Sequence, residues 1–188
     1  MMRAAERVWR GRGDGLAGDR SGSTALELAA VFPMMAIMFF GCFEVTQLVR
    51  VSMGLGVSTD AVADYVSRAA SPGGTDPTSE VTNACAGGKL MMAPFVGTFL
   101  GAAVASVTYN ASTNAIALDW TDTSCGTGTA GITNPVAIAT PLLNQPGDSV
   151  IIVLTTYTYT SPISVVLQPS YTLSHMSYAR PRPTATGS

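Results

Sequence analysis

Charged side chains are scarce in this sequence, where Asp, Glu, Lys and Arg together make up 12% of the 188 residues. From Val51 onward only four basic side chains remain, against seven acidic ones. The four are Arg68, Lys89, Arg180 and Arg182. A surface that follows the phosphates of a nucleic acid needs clustered cations to release counterions. The sequence therefore excludes nucleic acid as the expected partner.

Residues that build catalytic and metal centres are also few. The chain has three cysteines, no C-x-x-C spacing and a single histidine, His175, which together make a poor set of metal ligands. No G-x-S-x-G turn is present to supply a serine partner for His175. Asp119 and Asp122 resemble a glycosidase carboxylate pair only in their closeness along the chain. The sequence predicts a protein that is not an enzyme and has no metal and no cofactor.

Four tyrosines in the last third of the chain leave two readings open. They are Tyr157, Tyr159, Tyr171 and Tyr178. They could line a ligand-binding face, and aromatic pairing between neighbouring strands explains them at least as well.

The most distinctive feature that is present is an apolar run. The mean hydropathy is +0.30, and the segment from Leu28 to Phe43 carries no charge over 16 residues. A helix of that length spans about 24 Å, which is shorter than a hydrocarbon core of about 30 Å. A membrane span must therefore include Glu27, Glu44 or both, and a carboxylate at that depth is costly unless it has a partner or a function. We expect Glu44 at the outer interface, with Gln47 and Arg50 beyond it.

The distribution of arginines predicts the orientation of this span. Five arginines precede the apolar run: Arg3, Arg7, Arg10, Arg12 and Arg20. The positive-inside rule then places the N-terminus in the cytoplasm and everything after Arg50 outside. A cleaved secretory signal is the weaker alternative, because no A-x-A site follows the run at the proper distance. The sequence predicts a single-pass protein of the inner (cytoplasmic) membrane.

Helical periodicity continues beyond the apolar run. Apolar residues recur at helical spacing as far as Ala69, and Ser71-Pro72-Gly73-Gly74 is a strong stop signal. One helix is therefore predicted from about residue 24 to 70, with a kink or local loosening at Pro33. This divides the chain into a cytoplasmic leader (1–22), a transmembrane and amphipathic helix (23–70) and an exported domain (71–188).

The exported domain is predicted to contain a short helix followed by strands. The helix is expected to start at Asp76-Pro77 and to end at Gly87-Gly88, and the apolar segment 90–105 to cover the domain, with a second membrane span as a weaker reading. Period-two alternation then predicts a hairpin of 104–110 with 115–121, and strands at 149–160 and 171–179. The expected fold is α+β, with the amphipathic half of the long helix packed on a four-stranded antiparallel meander.

Two cysteines of the exported domain are candidates for a disulfide. Cys85 and Cys125 both follow the apolar run, whereas Cys42 lies inside it. Outside the cytoplasm a disulfide is expected to form between them, and a pair of buried thiols is the alternative.

The start of the apolar run resembles a known processing site. Gly22 ends a short basic leader, and Glu27 follows five residues later at the edge of the run. This arrangement resembles the processing site of type IV pilins and pseudopilins. The wider pattern of Gly22, Glu27, Pro33 and Glu44 is similar to the TadE/TadG-type minor pilins of tight-adherence (Flp, type IVb) pili. The segment ending in Arg180-Pro181-Arg182 resembles the C-terminal strands of that family, and Leu28 stands where the major pilins often carry an aromatic residue, which favours a minor subunit.

The resemblance implies a set of partners and a role for each matching residue. A prepilin-type peptidase would cut after Gly22, and Ser23 would gain an ammonium group one helical turn from Glu27. Glu27, Pro33 and Glu44 would then serve assembly with other pilus subunits and the assembly machinery. A second possibility is a membrane-tethered exported binding module that never joins a filament. Cleavage after Gly22 distinguishes the two, because only the pilin needs it.

Overall fold

The structure is a computed structural model that describes residues 21–95, 101–126 and 131–182. The chain has an α+β fold, in which a long N-terminal helix packs on a four-stranded antiparallel sheet. The leader predicted over 1–22 lies outside the described residues except for its last two positions, which are helical.

Helix α1 (Ser21–Ala69) has 49 residues, which corresponds to a length of about 74 Å. It begins three residues before the predicted start and ends one residue before the predicted end. Pro33 lies inside the helix, which continues through it without a break. The stop signal is confirmed, since Gly73 adopts a φ of +65°, a backbone conformation that favours glycine.

Helix α2 (Thr78–Met91) starts where Asp76-Pro77 predicts, although its N-cap is Pro77 and carries no capping side chain. The predicted end at Gly87-Gly88 is wrong, because the helix continues through both glycines. Gly88 is buried against α1, and Ser58 Oγ donates a hydrogen bond of 2.9 Å to its carbonyl. This glycine allows two helices to approach closely and does not end one of them.

The sheet contains β1 (Gly101–Asn110), β2 (Ala115–Cys125), β3 (Ser149–Thr160) and β4 (Ser170–Ala179). The predicted hairpin is confirmed, with Asn110 opposite Ala115 at the turn. Asn110 Oδ1 accepts hydrogen bonds from the backbone amides of Ser112 and Thr113, and Asn114 has a φ of +52°. The turn chemistry of asparagine thus sets the register of β1 with β2.

The predicted meander is wrong, because the strand order is β2-β1-β3-β4. The chain passes from β2 to β3 through the short helix α3 (Pro135–Ala139) and a 3-10 turn at Thr140–Leu142. β1 lies between β2 and β3, and its first eight residues are all buried, whereas most of β2 is exposed. Residues 101–105, expected in a covering segment, are therefore part of a central strand.

Both faces of the sheet are covered. Val153 and Ile151 of β3 pack with Val62 and Val66 of α1, as the prediction of a helical cover required. Val150 and Ile152, which point to the opposite face, pack with residues of α3 and the turn after it. Burial on both faces explains why β3 begins as a continuous apolar run.

The predicted disulfide is confirmed. Cys85 of α2 is bonded to Cys125 at the end of β2, with a Cα–Cα distance of 5.9 Å. The bond joins α2 to an edge strand of the sheet. Cys42 is a free cysteine and is exposed on α1.

Candidate functional site

The predicted processing position lies at the beginning of α1. Gly22 is exposed, and a Cβ placed there would meet no heavy atom within 4 Å. Because Gly22 lies in the first helical turn, a peptidase would have to unwind that turn to reach the bond to Ser23. Terminal turns fray readily, and glycine lowers helix stability by about 1 kcal/mol relative to alanine.

Glu27 follows Ser23 by one helical turn and is exposed. Residues four apart on a helix are neighbours on its surface. The backbone thus provides the spacing that the predicted pair of a Ser23 ammonium group and the Glu27 carboxylate requires. Pro33 is also exposed and lies about 1.7 turns further along.

The first half of α1 presents apolar side chains on all sides. Exposed large apolar residues include Leu26, Leu28, Val31, Phe32, Met34, Met35, Ile37, Met38, Phe39 and Phe40. Within the described residues, α1 is the one helix long and apolar enough to cross a membrane, judged by length and composition. Water is an unfavourable surrounding for so much contiguous apolar surface.

The second half of α1 carries an apolar stripe on the side opposite the sheet. Val45, Val49, Met53 and Val57 recur every four residues and are between 44% and 67% exposed. Val51 and Leu55, on the other side of the helix, are buried in the domain. We call Val45, Val49, Met53 and Val57 the α1 stripe. It extends the apolar surface of the first half well beyond Glu44.

Glu44, which is predicted at the outer interface of the span, is buried against the C-terminal domain. Its side chain is 0% exposed and contacts the connection between β3 and β4. Oε1 accepts a hydrogen bond of 2.6 Å from the amide of Val165, and Oε2 accepts bonds of 3.0 and 2.8 Å from those of Val166 and Leu167. Sequence reasoning missed this contact because more than a hundred residues separate the partners and no motif marks the accepting loop.

The Arg180-Pro181-Arg182 segment joins the end of β4 to other elements. The backbone amide of Arg182 donates to the carbonyl of Ser67 at 3.0 Å, and its guanidinium contacts Asp64 of α1 at 3.1 Å. Arg180 lies 3.7 Å from Asp148. Arg182 therefore holds the end of the last strand to α1, whereas Arg180 contacts the segment before β3.

The residues considered for catalysis do not converge on one centre. Asp119 accepts hydrogen bonds from Ser106 and Thr108 within the sheet. Asp122 accepts a bond of 2.6 Å from the amide of Ser124, whereas the His175 ring lies beside Gly56 of α1. In the part of the chain that is described, no group of three His, Cys, Asp or Glu side chains could hold a metal ion.

Three of the four tyrosines in the last third of the chain make contacts within the domain. Tyr159 and Tyr171 are register partners on β3 and β4, as cross-strand pairing predicts. Tyr157 is buried, and its hydroxyl donates to the carbonyl of Phe95 at 2.5 Å.

The pKa of the Asp76 carboxyl is raised above its ordinary value. Burial is the largest cause of this increase, a hydrogen bond from Thr78 opposes it, and the charge of Asp122 adds a smaller increase.

Comparison of the chain with models of protein families, with curated proteins and with solved structures finds no match. The apolar surface of α1 and the buried contact of Glu44 are the features from which function is argued below.

Proposed function

We propose that this protein is a minor pilin or pseudopilin that helps to assemble a tight-adherence surface pilus. In this proposal α1 first anchors the chain in the cytoplasmic membrane, with the N-terminus in the cytoplasm and the C-terminal domain outside. The same helix then packs against helices of other pilus subunits. The observation that carries the proposal is the continuous exposed apolar surface of α1.

The length of that surface supports a protein partner in addition to lipid. From Leu26 to Val57 it extends over about 46 Å at 1.5 Å per residue, whereas a bilayer core covers about 30 Å. If lipid surrounds the segment 28–43, Met53 and Val57 lie about 15 to 20 Å beyond it by the same rise. Burying a side chain of this size contributes about 1.5–3 kcal/mol relative to leaving it in water.

The spacing of the α1 stripe favours a helical partner. Side chains four residues apart form a continuous ridge along a helix, and such ridges pack into the grooves of a second helix. Val45, Val49, Met53 and Val57 form such a ridge on the side of α1 that the C-terminal domain leaves uncovered. A filament built from a bundle of N-terminal helices would cover it.

The N-terminal pattern supports processing as the step before assembly. Cleavage after Gly22 by a prepilin-type peptidase would leave Ser23 as the first residue. Its ammonium group and Glu27 would neutralise each other within one chain or between neighbouring subunits, which lowers the cost of charge at membrane depth.

N-terminal sequencing of the protein from membranes and from sheared pili tests the proposal. A mature chain that begins at Ser23, found in both fractions, is the expected result. Retention of Met1 in pilus-forming cells would overturn the pilin proposal and favour the membrane-tethered binding module. A reporter that is active only outside the cytoplasm, fused after Ser188, checks the orientation. A fusion that is expressed but inactive would contradict it.

A further inference from the structure

The connection between β3 and β4, residues 161–169, is unusually apolar for an exposed segment, and we call it the 161–169 loop. Ile163, Val165 and Val166 are 37%, 51% and 54% exposed. The loop has no Asp, Glu, Lys or Arg, and its polar side chains are two serines and one glutamine. Loops that face water are usually polar, so the composition indicates a different surrounding.

The loop lies beside the apolar half of α1. A Cβ added to Gly41 would lie 3.0 Å from Val166 Cγ2, so the valine packs directly on the bare backbone of that glycine. Gly41 is buried for this reason, although Phe40 and Phe43 beside it remain 39% and 41% exposed. Gly41 lies one turn before Glu44, on the side of the apolar run. The loop is therefore level with the end of the predicted membrane span.

Lipid has to reach this level if α1 crosses a bilayer. The uncharged segment 28–43 covers about 24 Å as a helix, and a hydrocarbon core of about 30 Å extends roughly one further turn. That turn lies at the Glu27 end, the Glu44 end or both, and Gly41, on which Val166 packs, lies inside the uncharged segment in each case. Ile163, Val165 and Val166 of the loop then lie at the boundary between acyl chains and headgroups.

The hydrogen bonds of the loop suit such an environment. Three consecutive amides, those of Val165, Val166 and Leu167, donate to the two oxygens of Glu44. Consecutive amides that point to one centre form a concave site for an anion, and bonds to a charged acceptor are stronger than neutral ones. An unpaired amide or an unpaired carboxylate near lipid is strongly unfavourable, because no water is present to bond it. Here the three loop amides and the Glu44 carboxylate are hydrogen-bonded to each other.

We propose that the 161–169 loop is a second membrane-contacting element, which inserts Ile163, Val165 and Val166 into the lipid leaflet beside the end of the α1 span. Glu44 is the positioning residue that holds the amides of the loop. The inference rests on α1 crossing a bilayer and does not depend on pilus assembly. Attachment at two points would fix the orientation of the C-terminal domain on the membrane.

Photolabelling of the unaltered full-length chain provides the first test. The protein is reconstituted in vesicles of phosphatidylethanolamine and phosphatidylglycerol that contain a phospholipid with a diazirine in its acyl chain. After irradiation, mass spectrometry maps the lipid adducts. We expect adducts on 28–43 and on the 161–169 loop, and none on the β1–β2 turn at 111–114. Adducts on the helix without any on the loop would overturn the proposal, and this map uses the unaltered chain, so no substitution perturbs folding.

Spin labelling tests depth and the role of Glu44. In a Cys42→Ala background, a nitroxide is placed at Val166→Cys or, as the aqueous control, at Thr113→Cys, which is exposed in the β1–β2 turn. The label at 166 is expected to collide with oxygen several-fold more often, relative to a water-soluble nickel chelate, than the label at 113. Equal ratios at the two positions would contradict insertion.

Glu44→Gln, added to the Val166→Cys background, is expected to shift that label towards the aqueous value. The glutamine side chain has one oxygen in place of two, so it accepts fewer hydrogen bonds from the three loop amides. Thr46→Val is the matched control on the same helix, since the Thr46 hydroxyl donates to the carbonyl of Cys42 within α1. A label that stays in lipid in Glu44→Gln would remove Glu44 from the proposal. Movement of the label in Thr46→Val would show that any change in this turn releases the loop, which would equally contradict a specific role for Glu44.

Discussion

Gly88 of α2 lies directly against Val62 of α1: a Cβ added to the glycine would lie 2.8 Å from Val62 Cγ2 and 3.0 Å from Ser58 Oγ. The neighbouring Gly87 faces open space, with no heavy atom within 4 Å of the same construction. Two adjacent glycines in one helix thus have opposite surroundings. Gly88 determines how closely α1 and α2 approach, whereas a side chain at Gly87 would meet no neighbouring atom.

This pair gives a matched test of helix packing. Gly88→Ala is expected to lower the free energy of unfolding by about 1–3 kcal/mol, because Val62 and Ser58 must move to admit the methyl group. Gly87→Ala is expected to raise it by about 0.5–1 kcal/mol, because alanine favours a helix and meets nothing. Urea unfolding of the full chain in detergent, followed by circular dichroism, compares the two variants. Equal effects would show that Gly88 does not control the helix contact.

The disulfide predicts a specific labelling pattern. In the denatured but unreduced protein, a thiol reagent should modify Cys42 alone, because Cys85 and Cys125 are bonded. The closed loop has a sequence separation of 40 residues, and closing a loop of that size stabilises a domain by about 4 kcal/mol in the chain-entropy model. The double variant Cys85→Ser, Cys125→Ser should therefore unfold at much lower urea. Three labelled cysteines in the wild-type protein would contradict the bond.

Sequence patterns predicted those elements whose signal is local. The strand Ser149–Thr160 has the predicted bounds, and the hairpin follows from strict alternation and an asparagine-containing turn. The disulfide was inferred from compartment and position. In each case neighbouring residues, or a pair of cysteines with few alternatives, carry the information.

The parts that sequence reasoning missed depend on contacts between distant segments. The order of strands depends on β1 being buried on both sides, which a short apolar run does not reveal. The sequence pattern predicts a helix end at Gly88, whereas the structure has a helix contact there. The burial of Glu44 depends on amides that lie 121 to 123 residues away. Every residue except proline has a backbone amide, so the residue types do not show which amides bind Glu44.

The α1 stripe is expected to serve assembly and not folding. Met53 is 67% exposed, and a substitution at such a surface position usually changes stability by no more than about 0.5 kcal/mol. Met53→Arg should therefore fold and insert normally but place a charge in the proposed helix contact, which reduces incorporation into pili. Ser52→Arg adds the same charge to an exposed position one residue away, and should incorporate more efficiently. Equal incorporation of wild type and Met53→Arg would exclude the stripe as the contact.

The two carboxylates that border the apolar run of α1 are expected to have different functions. Glu27 is exposed, and its proposed partner, the Ser23 ammonium group, exists only after cleavage. Glu27→Leu makes the span more apolar, so insertion and processing should persist while pilus assembly fails, because the new ammonium group loses its partner during packing. Glu44 is buried against the amides of the 161–169 loop, so Glu44→Gln should disturb that loop and leave the mature N-terminus at Ser23.

Gly22→Leu should block cleavage in either background, because a side chain hinders close approach of the backbone to the peptidase. Each variant is assayed for N-terminal sequence, membrane retention and surface pili. Normal pili in cells that carry Glu27→Leu as their only copy would show that Glu27 has no role in assembly.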